Sequence, residues 1–113
     1  MIEARIAAGM LVSALIRAVG ESGGHGMVLA RGDAVAGAIL IAVTDRGVAG
    51  RLLERMPVLS GEGHVWTPIG PADPAEPGAI AEYLARRRRS DPDLWVVELD
   101  HPRAGEIIGA MTG

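Results

Sequence analysis

Four consecutive arginines, Arg86 to Arg89, stand directly ahead of "SDPDLWVVELD", so cationic, aromatic and acidic side chains crowd into one short stretch. Guanidinium groups grip carboxylates and phosphates bidentately. Indole rings stack on planar ligands. Two carboxylates on one strand face, here Glu98 and Asp100, can act as acid and base when their surroundings push their pKa values apart. A cleft built from Arg87 or Arg88 with Trp66, Trp95, Glu98 and Asp33 would therefore hold a small anionic ligand, with arginine on the anion and tryptophan on its flat face. No nucleophile motif accompanies the carboxylates, and no catalytic residue is assigned.

The spacing argues against that cleft. Four successive helical residues sweep about 300° around the axis, so the arginines cannot all face one ligand. Arg86 and Arg89 continue the outer stripe of Ala79 and Glu82, with Glu82 and Arg86 placed for an i, i+4 pair, whereas Arg87 and Arg88 lie nearer the Ile80 and Leu84 side. Asp91, Asp93, Glu98 and Asp100 follow closely and neutralise the run, and cations suit the C-terminal end of a helix. The favoured reading is a structural helix end with internal ion pairs, Glu98 pairing with Arg87 or Arg88.

Other chemistry is thinner. There is no Cys, which removes disulfides, thiolate nucleophiles and Cys-ligated metals. His25, His64 and His101 sit on separate elements, with Glu62 and His64 making only an E-x-H, so no metal set and no cofactor are expected. "RGD" at Arg31 to Asp33 is a tripeptide that recurs by chance. "GESGGHG" lacks the phosphate-loop pattern and serves as a helix terminator. All eleven basic residues are arginine, and the net charge is −3, so neither nucleic acid nor an anionic membrane is an expected partner.

The elements that must position these residues fit one domain over 1–113. Residues 7–19 read as a helix, apolar nearly all round, with Ser13 and Arg17 as its one polar stripe. The apolar run from Ile6 to Ile16 has the length of a signal-peptide core and is too short to span a bilayer; Glu3 before it and Arg17 after it favour a cytoplasmic protein. Met27–Arg31 and Ala38–Thr44 read as the arms of a hairpin. "VAGRLLERMP" reads as a third strand, with Arg51 and Leu53 on one face and Leu52 and Glu54 on the other, and His64–Ile69 as a fourth. After the proline-rich "GPADPAEPG" comes a second helix, "AIAEYLARRRR", stopped by Asp91-Pro92. "LWVVEL" is the clearest strand, and the tail after Pro102 is ambiguous.

"LVSALIRAVGESGG", "VLARGDAVAGAILIAV", "HVWTP" and above all "YLARRRRSDPDLWVVELD", in that order, resemble the alphaproteobacterial family of domain of unknown function 1491. The resemblance spans nearly the whole chain and is most specific at Asp91 to Glu98. Ser90 departs from an expected aromatic, and Leu11 stands where the first helix often carries tryptophan. The resemblance implies a single-domain bacterial cytoplasmic protein and lends no catalytic residue. The expectation is thus an α+β fold, an antiparallel sheet of four to five strands with two main helices on one face. Its expected role is that of a non-catalytic binding or interaction module, self-associating through the first helix or a sheet edge. The alternative is a small enzyme or anionic-ligand binder at the Arg/Trp/carboxylate cleft.

Overall fold

The computed structural model describes residues 6–61 and 63–112. Glu3 and Glu62 lie outside the described residues. The elements, in chain order, are α1 (Ala8–Glu21), β1 (His25–Ala30), β2 (Ile39–Asp45), β3 (Val48–Pro57), β4 (His64–Ile69), α2 (Ala79–Ser90), β5 (Trp95–Asp100) and α3 (Ala104–Thr112).

The five strands form one mixed sheet in the order β1-β5-β2-β3-β4. The expected hairpin between the first two strands does not form. β5 inserts between them, antiparallel to β1 and parallel to β2, so the sheet is not purely antiparallel. The reason lies in the side chains. Ile39, Leu40 and Ile41 of β2 and Trp95, Val96 and Val97 of β5 are buried consecutively, and strands buried on both faces belong in the middle of a sheet. The connection from Arg31 to Ala38 therefore passes across the end of β5, tied there by the Asp33 amide donating to the Asp93 carbonyl (3.0 Å) and the Trp95 amide donating to the Ala38 carbonyl (2.8 Å).

The helices divide between the two faces, which corrects the one-face arrangement. α1 and α3 pack on the face carrying Ile39, Ile41, Leu53, Trp95, Val97 and Leu99. On the opposite face, Ile80, Tyr83 and Leu84 of α2 cover Leu40, Leu52, Leu94 and Val96. Leu11, Val12, Leu15 and Val19 of α1 are buried, while Met10, Ser13 and Arg17 form its exposed stripe. The apolar first helix is thus largely absorbed by its own sheet and by α3. The tail resolves into α3, anchored by buried Ala104 and Ile108. His101 joins the two helices on this face. Its Nδ1 accepts from the Arg103 amide (2.9 Å), which leaves Nε2–H to donate to the Ser22 carbonyl (2.9 Å).

Candidate functional site

The arginine run divides much as helical geometry requires. Arg87 reaches Glu54 on β3 with two parallel bonds, Nη1 to Oε1 at 2.8 Å and Nη2 to Oε2 at 3.0 Å, and Nη1 also meets the Tyr83 hydroxyl at 3.3 Å. Glu54 is buried, and its hydrogen bond, opposed by partial burial, raises the already high pKa of the guanidinium further. Arg88 donates to the Pro92 carbonyl (2.6 Å) and the Leu94 carbonyl (2.9 Å), clamping α2 to the start of β5. Arg86 lies over the Tyr83 ring at 5.7 Å, and Arg86 and Arg89 are exposed. The partner of Arg87 is Glu54, not Glu98.

Trp95 is 3% exposed, and its Nε1 donates to the Asp33 carbonyl (2.7 Å), while Arg31 covers the ring at 5.5 Å. It is a core anchor and not a stacking platform. The Asp33 carboxylate accepts from the Ala36 (2.8 Å) and Val35 (3.1 Å) amides, which hold its pKa below the usual carboxylate range. "RGD" thus folds as a structural corner. Gly32 is required there, because a Cβ would collide with the Asp93 carbonyl and the Trp95 ring.

Trp66 stands apart from these residues. It lines a groove of about 640 Å³ between the edge strand β4 and α3, with Leu53, Pro68 and Ile108 as apolar lining and Arg51 and Arg103 among its charged residues. Neither arginine has an ion-pair partner among the described residues. The Arg51 guanidinium lies against Gly105, where a Cβ would come within 2.8 Å of Nη2. Glu106 and His64 also line the groove. Of the six residues singled out from the sequence, Trp66 lines it; Asp33, Arg87, Arg88, Trp95 and Glu98 do not. Arg51 and Leu53 were legible together as one face of a strand. Arg103 was not, because it precedes a helix that the ambiguous tail concealed.

Glu98 and Asp100 share the α2 face of β5, beyond the residues that α2 covers. Asp100 accepts from the Gly47 amide (2.8 Å), the Thr44 hydroxyl (2.8 Å) and the Arg46 amide (2.9 Å), fixing the β2–β3 turn. These bonds hold its pKa below the ordinary value of 3.8. Among the described residues, the Glu98 carboxylate accepts one side-chain hydrogen bond, from the Thr44 hydroxyl at 3.5 Å. His25, opposite Asp100 on β1, completes the group.

A small α+β protein emerges, with a mixed sheet between helices on both faces and a groove where α3 leaves the edge strand uncovered. Residues 6–109 match the model of a family described as protein of unknown function, DUF1491, and the chain belongs to that family. It is similar to a crystal structure of a DUF1491 family protein from Caulobacter crescentus CB15, with 31% identity, a TM-score of 0.76 and coverage of 89% of this chain and 92% of the other. It is similar also to the solution structure of protein Atu0922 from A. tumefaciens, with 32% identity, a TM-score of 0.71 and coverage of 91% and 92%. No curated protein matches the chain.

Proposed function

We propose that this protein is a non-catalytic binding module of one domain, whose ligand is a small organic anion with an apolar or aromatic body held in the groove between α3 and β4. The observation that carries this reading is the pairing of an apolar lining with two arginines that have no ion-pair partner among the described residues, in a chain whose net charge is −3. Two arginines against Glu106 leave the groove locally cationic. Its volume falls in the range of small-molecule sites, roughly 300–1,000 Å³. A cytoplasmic setting is part of the proposal and rests on the residues flanking the first apolar run; no helix among the described residues is long and apolar enough to cross a membrane. Anilinonaphthalene sulfonate, an anionic aromatic dye, serves as the probe. Saturable binding that is lost in R51A/R103A and kept in R86A/R89A supports the groove. Equal binding by all three proteins contradicts it.

A second reading concerns self-association, for which we propose the β1 edge and a second copy of this chain. β1 is an edge strand, and Met27, Val28 and Leu29 are exposed in succession on it. From Gly26 to Ala30 it carries no charge or proline, the usual guards of an open edge, whereas the other edge strand holds Pro68. Sedimentation at high micromolar concentration is expected to give a dimer that M27K/L29K dissociates. A strictly monomeric wild type removes this reading.

A further inference from the structure

We propose that His25, Glu98 and Asp100 form a binding site for one divalent transition-metal ion of the zinc or manganese type, on the sheet face opposite the groove. One ligand atom from each of the three residues lies within 4.8 Å of the other two. Donors bound to one such ion at about 2.0–2.2 Å stand at most about 4.4 Å apart, so closure needs only a small movement. The three side chains are graded for it. Asp100 is fixed by its three hydrogen bonds, with roughly four lone-pair positions on its carboxylate leaving one free to coordinate. Glu98 is half-buried and His25 exposed, so both can swing toward the fixed oxygen.

The hydrogen bonding leaves the two carboxylates short of donors, and a cation would supply the missing positive charge. The Thr44 hydroxyl carries one proton, and at 2.8 Å it is committed to Asp100; at 3.5 Å Glu98 receives little of it. Two neighbouring carboxylates are thus served by one short hydroxyl bond and two backbone amides, with the imidazole of His25 as the facing nitrogen donor. One imidazole with two carboxylates is a donor set for Zn²⁺ or Mn²⁺, whereas an all-oxygen set would favour Mg²⁺ or Ca²⁺. Sequence spacing hid the set because β1 and β5, distant in the chain, are paired in the sheet, His25 against Asp100 and Met27 against Glu98.

The test is titration of the full chain with ZnCl₂ and separately with MnCl₂, followed by calorimetry and thermal unfolding. Binding of one ion per chain with a raised melting temperature is expected, and H25A and E98Q should each weaken it by at least about tenfold. H64A serves as the control, since His64 lies on the other edge strand, and should bind as wild type does. His25 is exposed and the Glu98 side chain makes one long hydrogen bond among the described residues, so either variant alone suffices should the other fold poorly. Absence of binding by both ions at millimolar concentration overturns the proposal, as does binding that survives H25A and E98Q. The groove variants R51A/R103A leave this readout untouched, so failure of one site is distinguishable from failure of the other.

Discussion

Replacing Arg87 by leucine tests whether the arginine run is scaffold. The change leaves Glu54, 8% exposed, without its two-bonded partner beneath α2. Removing one member of a buried pair costs about 3–5 kcal/mol. Here the arginine side chain keeps 28% of its surface in water and the glutamate 11%, so solvent screens the pair and the expected cost falls to about 2–3 kcal/mol. At roughly 4 °C per kcal/mol for a chain of this size, the melting temperature should drop by about 8–12 °C. Glu54→Leu should cost less, about 1 kcal/mol, because the long arginine side chain can turn toward water and still meet the Tyr83 hydroxyl. The double variant should be more stable than Arg87→Leu alone, with a coupling of at least about 1 kcal/mol, since leucines at both sites would join Leu52 and Leu84. Urea unfolding followed by circular dichroism gives all four corners of the cycle. R86A/R89A, on the exposed side, should stay within about 0.5 kcal/mol of wild type. If Arg87→Leu proves as mild as that pair, or if the two sites are additive, Arg87 is not held by Glu54 and the scaffold reading fails.

Asp100 predicts a pH dependence whose sign follows from its bonds. Its folded pKa is depressed by the Gly47 amide, the Thr44 hydroxyl and the Arg46 amide, so its contribution is complete above the unfolded value near 3.8 and disappears as pH falls through the lower folded value. Asp100→Asn should flatten the acid limb of a stability–pH curve; an unchanged limb contradicts the assignment. Gly32→Ala should prevent accumulation of folded protein, because its Cβ meets the Asp93 carbonyl and Trp95, whereas Gly20→Ala, with open space around it on α1, should stabilise by about 0.5–1 kcal/mol. Soluble yield and circular dichroism of both variants, with a thermal melt of Gly20→Ala, decide this, and equal effects would refute it.

Local order was legible where side-chain period and backbone chemistry agree. The exposed stripe of α1 and the split of the arginine run follow from helical spacing, and the stop at Asp91-Pro92 follows from proline sterics. What escaped was pairing at a distance. Met27–Arg31 and Ala38–Thr44 look like hairpin arms because they are neighbours in the chain, but the continuous apolar runs in "ILIAV" and "WVV" demand central positions side by side. That same insertion brings His25 to Asp100, which no spacing rule announces. Glu54 was half visible: it shares a strand face with Leu52, and an acid on an apolar face needs a cation from whatever covers it. Ala104, Ile107, Ile108 and Met111 do recur at helical spacing in the tail, but Gly105 and Gly109 within it weaken the signal, so α3 and the groove beside it were lost together.

The two tryptophans provide the most direct test of the binding claim, because one lines the groove and the other is sealed in the core. In a ¹H–¹⁵N correlation spectrum titrated with an aromatic carboxylate such as naphthoate, the indole resonance of Trp66 and the amides of Gly105 and Gly109 should shift together and saturably. The Trp95 indole, bonded to the Asp33 carbonyl, should stay in place. Shifts centred on Trp95 and the α2 arginines, with Trp66 unmoved, would contradict the groove and restore the arginine run as the ligand grip.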